Sequence, residues 1–170
     1  MSPGSNPLEF FALLRTLLEH GVEFVLIGGF ALGFHGRPRG TKDIDIVPDP
    51  DRDNIARLRE ALQTLDARPL DQGDFRPEEM PVPVTADGLL EGGNWAIDTR
   101  FGRLDVMQWV DGVESYDDLR SRAVVDDPPE LGRPLWIAGR DDLVRMKLKA
   151  ARPQDLIDIQ ALKMAEGLEE

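Results

Sequence analysis

Asp43 and Asp45 stand two residues apart in Asp43-Ile44-Asp45-Ile46-Val47, where carboxylates alternate with aliphatic side chains. That alternation predicts a β-strand over 43–47, with both carboxylates leaving one face only a few ångströms apart. Two anions so close destabilise one another unless they share a proton or a cation. Hard oxygen donors of this kind suit Mg2+ or Mn2+. Taken alone, the pattern fits a simpler reading, a surface strand whose acids are solvated. Two further features favour a metal site. Gly28-Gly29 follows an apolar run and precedes a short helical one, an order in which backbone N–H groups can approach a phosphate chain. A third carboxylate, Asp105, lies in Gly102-Arg103-Leu104-Asp105-Val106-Met107, flanked by aliphatics that would point into a core. Three carboxylates could hold two cations, one on a triphosphate and one activating an attacking hydroxyl. Asp98 competes for the same place. In a hairpin closed by Phe101-Gly102 it falls opposite Asp105, which would either place four acids around the cations or leave one of the two solvated.

The elements that must position these groups can be read from periodicity. Leu8, Phe11, Leu14, Leu17 and Leu18 recur at helical spacing, and Gly21 suits the helix end. Glu23–Ile27 reads as a strand, Gly28-Gly29 as a break, and Phe30–Phe34 as a short helix. Asp51–Leu65 carries an apolar stripe through Ile55, Leu58, Leu62 and Leu65. From Ala67 to Gly93 prolines and glycines predict irregular chain, with one short strand at Val82–Thr85. Trp95–Arg100 and Arg103–Val110 form a predicted hairpin around Phe101-Gly102. Tyr116–Arg122 reads as a helix and Pro134–Ala138 as a last strand. Two closing helices follow over Arg140–Ala150 and Pro153–Ala165, the second opened by proline at a favoured first-turn position.

Bulk composition narrows the chemistry further. The chain has 170 residues, enough for one domain with a single core, and residues 1–7 read as a flexible lead. It has no cysteine, which excludes thiolate metal sites and cysteine nucleophiles and leaves catalysis to oxygen and nitrogen groups. No secretion signal or bilayer-length apolar stretch is visible, so a cytoplasmic protein is expected. Thirty-two Asp and Glu against 20 Lys and Arg give a formal charge of −12. A surface of that sign argues against a broad nucleic-acid footprint but permits a local basic pocket.

Leu26-Ile27-Gly28-Gly29-Phe30-Ala31-Leu32, His35-Gly36, Arg39, Thr41 and Asp43-Ile44-Asp45-Ile46 together resemble the nucleotidyltransferase superfamily. The likeness is to small bacterial proteins of its minimal and abortive-infection or toxin-antitoxin branches. Leu143–Ile159 is similar to the helical C-terminal signature of the same group. The resemblance covers most of the chain and is weakest over 68–94. It implies an α/β (α+β) fold with a mixed sheet flanked by helices, and Asp43, Asp45 and Asp105 as catalytic and metal-binding acids. It also implies transfer of a nucleoside monophosphate from a nucleoside triphosphate, with Mg2+ or Mn2+, to a hydroxyl on a protein, a tRNA end or a small molecule. A cognate toxin or antitoxin partner is part of the same implication. Many superfamily members carry Gly-Ser where this chain has Gly28-Gly29, and loss of that hydroxyl motivates an alternative: a module that binds nucleotide or a partner protein without turnover. A metal-dependent phosphohydrolase is a third reading.

The resemblance aims the Lys147 ammonium at the triphosphate, where a fixed cation would offset developing charge; a solvated helix lysine is the alternative. Arg39 and Lys42, just before the acid strand, are candidate nucleotide-binding cations of the same kind. His35 beside Gly36 reads as a hydrogen-bonded cap or packing residue rather than a base. Asp155 and Asp158, one helical turn apart, are expected to form a charge network with Arg152 bracing the glycine loop. Trp95, Trp109 and Trp136 read as core or sheet-face residues, of which one near the pocket could stack on a nucleobase.

Overall fold

The structure, a computed structural model, describes residues 7–36, 40–70, 86–150 and 152–169, with the side chains of all but 86, 87 and 166–169. Residues 1–6 of the expected lead, the predicted strand at Val82–Thr85 and the loop cation Arg39 lie outside the described residues. Among the described residues the elements run α1 (Phe10–Glu19), β1 (Phe24–Ile27), α2 (Gly28–Phe34), β2 (Asp43–Pro48), α3 (Arg52–Thr64) and β3 (Arg68–Pro69). They continue as α4 (Ala86–Glu91), β4 (Asn94–Thr99), β5 (Gly102–Met107), α5 (Tyr116–Ser121), β6 (Val124–Asp126), β7 (Leu135–Ile137), α6 (Arg140–Ala150) and α7 (Pro153–Glu169).

The strands form a mixed sheet in the order β3-β4-β5-β2-β1-β7-β6. β2 lies antiparallel to β1 and parallel to β5, and the β4–β5 and β6–β7 pairs are antiparallel hairpin-like arms on either side. The alternation in β2 and β5 divides their residues between the two faces of the sheet. Ile44, Ile46, Leu104 and Val106 share one face and are buried in the core cluster with Leu13, Leu14 and Leu17 of α1 and Ile55, Leu58 and Leu62 of α3. Asp43, Asp45, Arg103 and Asp105 occupy the other face. Burying each of those aliphatics contributes roughly 1.5–3 kcal/mol, and a one-residue slip of β2 would exchange acids for isoleucines. The same packing that makes the fold therefore fixes which way the carboxylates point.

Local chemistry sets the element ends. α1 stops at His20, and Gly21 follows at φ +74°, a conformation glycine adopts without side-chain strain. Asp51 caps α3 by accepting from the Asp53 N–H at 3.2 Å. Buried Asn54 on α3 accepts from the Glu23 N–H at 2.7 Å and donates to the carbonyls of Glu23 and Asp49 at 2.9 Å, tying that helix to both strands at one end of the antiparallel β1–β2 pair. Buried Asp142 on α6 accepts from the Arg122 and Arg145 guanidinium groups, which locks the α5–β6 turn onto α6. No helix among the described residues is long and apolar enough to cross a membrane.

Several predicted elements differ from the observed ones. The α2 helix begins at Gly28 rather than Phe30, so the glycine pair is its first turn. The β4–β5 turn is Arg100-Phe101, with Gly102 already paired to Thr99 at φ +111°. This shift places Asp98 opposite Arg103, not Asp105. α7 continues past Ala165 to Glu169, and β3, α4 and β6 are additions that short or irregular sequence patterns do not announce.

Candidate active site

Asp45 and Asp105 are direct neighbours across the parallel β2–β5 pair, and Asp43 lies beside Arg103 in the same register. Each of Asp43, Asp45 and Asp105 offers a carboxylate oxygen, and these oxygens lie within 4.8 Å of one another. The close approach has an electrostatic cost. Burial first, then the charges of Asp43 and Asp105, push the Asp45 carboxyl up to about 8. Asp43 is raised as well, by burial and then by its hydrogen bond and charge contact with Asp105. A cluster of hard oxygens that resists its own negative charge fits a divalent oxygen-loving cation such as Mg2+ or Mn2+.

Gly28 stands against this cluster. It follows Ile27, which pairs with Asp45, and has φ +74°; a Cβ here would run into the Asp45 carboxylate. Glycine is therefore required twice, by backbone conformation and by the space the acid occupies. Gly28 and Gly29 line a cavity of about 800 Å3 together with Thr41, Lys42, Asp43 and Asp45. Lys42 is exposed at its rim. α6 contributes Met146 and Lys147, α7 contributes Asp155, Arg152 comes from the link between them, and Met107 at the β5 end is followed by Trp109 just beyond it.

Lys147 lines this cavity, yet its ammonium is held between two carboxylates, 3.1 Å from Asp155 and 3.2 Å from Asp158, both fully buried. Arg152 grips Asp155 through its backbone N–H at 3.0 Å and its side chain at 2.8 Å. Those bonds, with Arg152 contributing most and Lys147 adding to it, hold the Asp155 carboxyl well below the usual carboxylate range. The expected charge network of Asp155, Asp158 and Arg152 forms with Lys147 at its centre, but its bonds join α6 to α7 rather than reaching the glycine loop. His35 caps α2, and its buried ring hydrogen-bonds the Ala138 carbonyl at 2.8 Å. It takes the structural place read for it. Asp98, buried, pairs with Arg68 at 3.0 Å outside the three-acid cluster.

Arg103 is the site residue that sequence reasoning missed. Its guanidinium forks onto both oxygens of Asp105, at 2.9 and 3.2 Å, and gives the cluster a resident counter-charge. The signal is present in the sequence, because a residue two before Asp105 in a strand must share its face. Asn94 is a second such residue: it clamps the chain end of β5, accepting from the N–H groups of Gln108 and Trp109 and donating to the Trp109 carbonyl.

A mixed sheet carrying two acids on one strand and a third on its parallel neighbour, beside a glycine turn, is the arrangement expected of a nucleotidyltransferase fold. Residues 12–106 match the family model described as nucleotidyl transferase AbiEii toxin, type IV toxin–antitoxin system, and the chain belongs to that nucleotidyltransferase family. No curated protein matches the sequence. Among solved structures, the chain is similar to a nucleotidyltransferase-type protein of Thermotoga maritima, at 14% identity and a TM-score of 0.56, over 91% of this chain and 94% of that one. It is similar also to ANT(2'')-Ia in complex with adenylyl-2''-tobramycin, at 16% identity and a TM-score of 0.54, over 92% of this chain and 87% of that one. The lincosamide antibiotic adenylyltransferase LnuA with lincomycin bound aligns at 15% identity and a TM-score of 0.52, over 93% and 98% of the two chains. At such identities the likeness establishes the shared fold.

Proposed function

We propose that this protein transfers a nucleoside monophosphate from a nucleoside triphosphate to a hydroxyl acceptor, in the cytoplasm and within a toxin–antitoxin pair. The observation that carries the reading is the meeting of Asp43, Asp45 and Asp105 in one acid cluster, of which Asp43 and Asp45 line a cavity together with Gly28 and Gly29. Asp43, Asp45 and Asp105 would hold Mg2+ or Mn2+, which when bound supplies charge neutralisation on the phosphates and lowers the pKa of the attacking hydroxyl. The Gly28-Gly29 backbone, which lines the same cavity, is assigned the phosphates. Lys42 supplies positive charge at the cavity rim, and Arg39, three residues before it, is assigned the same work. The acceptor oxygen bonds to the α-phosphorus as the α–β anhydride bond breaks, and pyrophosphate leaves with the electron pair. Asp105 takes the hydroxyl proton, with Arg103 fixing its orientation. Lys147, already neutralised in part by Asp155 and Asp158, offsets charge on the leaving group. The net charge of −12 favours a small molecule or a protein side chain as acceptor over a long nucleic acid, with a tRNA end as the third class.

One observation supports the second reading, nucleotide binding without turnover. The forked Arg103–Asp105 ion pair occupies the carboxylate that the chemistry needs as base. Incubation with α-labelled nucleoside triphosphates, Mg2+ and cell extract separates the two. Label appearing on an acceptor establishes transfer, and saturable nucleotide affinity with no label moved establishes the binding module. Release of free nucleoside monophosphate or phosphate without an acceptor would instead identify a phosphohydrolase.

A further inference from the structure

We propose that the Trp109 indole is the platform on which the base of the donor nucleoside triphosphate stacks, an assignment that rests on the nucleotidyl-transfer reading of the same cavity. Trp109 is 67% exposed, unusual for so large an apolar side chain. The other two indoles are occupied: Trp95 is buried and donates to the Gln108 side chain at 3.1 Å, and Trp136 lies under the Arg120 guanidinium.

The backbone that carries the exposed ring is nonetheless held in place, and one neighbour lies against the ring itself. Asn94 accepts from the Trp109 N–H at 3.0 Å and donates to its carbonyl at 2.9 Å. Gly92, at φ +90°, lies so close beneath the indole that an added Cβ would sit 2.9 Å from its Nε1. Gln108, the preceding residue, is anchored through its side chain to the Leu89 carbonyl at 2.7 Å. An aromatic face that is open to solvent yet fixed by its neighbours loses little conformational freedom when a ligand covers it.

Its position fits the donor. Trp109 lines the cavity that also contains Gly28, Gly29, Asp43 and Asp45, to which Met107 and Met146 add apolar surface. It lies four residues beyond Asp105, at most about 13 Å of extended chain, so one ligand can touch acids and ring together. A phosphate chain on the acids and glycines would direct its sugar and base along the β5 end toward the indole. Every nucleobase has a π face, so this contact gives affinity with little discrimination among the four bases.

The test uses the whole chain, with Mg2+, titrated with ATP, GTP, CTP, UTP and inorganic tripolyphosphate, read by intrinsic fluorescence and calorimetry. In the wild type, nucleoside triphosphates quench the exposed tryptophan saturably and tripolyphosphate binds without quenching. Trp109→Leu should weaken nucleoside triphosphates about 10-fold or more and leave tripolyphosphate affinity unchanged. Trp109→Phe, which keeps a π face, should restore most of the loss. Equal nucleotide affinity in wild type and Trp109→Leu would overturn the platform while leaving the phosphate site standing. Failure of the wild type to bind any nucleotide or tripolyphosphate would overturn both. A short single-stranded RNA that loses affinity in Trp109→Leu, while the triphosphates do not, would assign the ring to the acceptor and overturn the donor assignment.

Discussion

Replacing Asp45 with asparagine should stabilise the metal-free protein near pH 8 and abolish its stabilisation by Mg2+. The Asp45 carboxyl is raised from 3.8 to about 8, chiefly by burial and then by Asp43 and Asp105. The unfolded chain releases this proton near 3.8, whereas the folded protein retains it to about 8. Between those values the folded state binds more protons than the unfolded one, so stability is full below 3.8 and falls as pH rises toward 8. Each unit of difference is worth about 1.4 kcal/mol. Because Asp43 is raised alongside Asp45 and the two interact, the total loss across the window is on the order of 3–6 kcal/mol. Asparagine at this position keeps the volume and removes the charge. Urea unfolding in EDTA across this pH range should therefore give a falling midpoint for the wild type and a flatter one for Asp45→Asn, and added Mg2+ should raise the midpoint of the wild type alone. A wild-type midpoint that does not fall with pH would refute the burial and mutual repulsion that raise this carboxyl, and equal Mg2+ stabilisation of both proteins would refute its place as a metal ligand.

Lys147→Met should destabilise the protein by about 3 kcal/mol or more, because it strips a cation from two buried carboxylates; thermal unfolding measures it, and a change below about 0.5 kcal/mol would show that Arg152 on Asp155 and the Gln154 side chain, which donates to Asp158 at 3.0 Å, suffice. Since Asp155 is held low, the stability it contributes is present above the unfolded value of 3.8 and is lost as pH falls further toward its folded value. Gly28→Ala should fold poorly or displace Asp45, costing about 1–3 kcal/mol for the strained φ alone and weakening Mn2+ binding seen by calorimetry; unchanged Mn2+ affinity would disprove the contact between this backbone and that acid. Arg103→Met should tighten Mn2+ binding by freeing Asp105 while lowering metal-free stability, and a loss of Mn2+ affinity would contradict its place as a resident counter-charge.

The acid strand was legible because two physical signals coincide in it. Alternation fixed the face of Asp43 and Asp45, and the aliphatics between them fixed the burial of the other face. Asp105 was legible by the same pattern in β5, although its pairing with β2 is a long-range event that periodicity does not specify. The predicted hairpin turn lies one residue beyond the observed one, since Phe101-Gly102 and Arg100-Phe101 both fit a two-residue turn and a glycine at positive φ can stand inside a strand end. That small shift moves Asp98 from Asp105 to Arg103. The partners of Lys147 were also hidden. Helical spacing shows Asp155 and Asp158 on one side of α7, but only the packing of α6 on α7 brings the lysine between them. β3, with two residues, and β6, with three, carry too little pattern to be distinguished from loop.

The most direct trial of the whole account is a crystal structure of the protein with Mn2+ and a non-hydrolysable nucleoside triphosphate. An anomalous peak among the carboxylates of Asp43, Asp45 and Asp105, with the phosphates passing Gly28-Gly29, is the predicted result. Manganese bound elsewhere, or absent while Arg103 still grips Asp105 and the nucleotide lies outside the cavity, would contradict it.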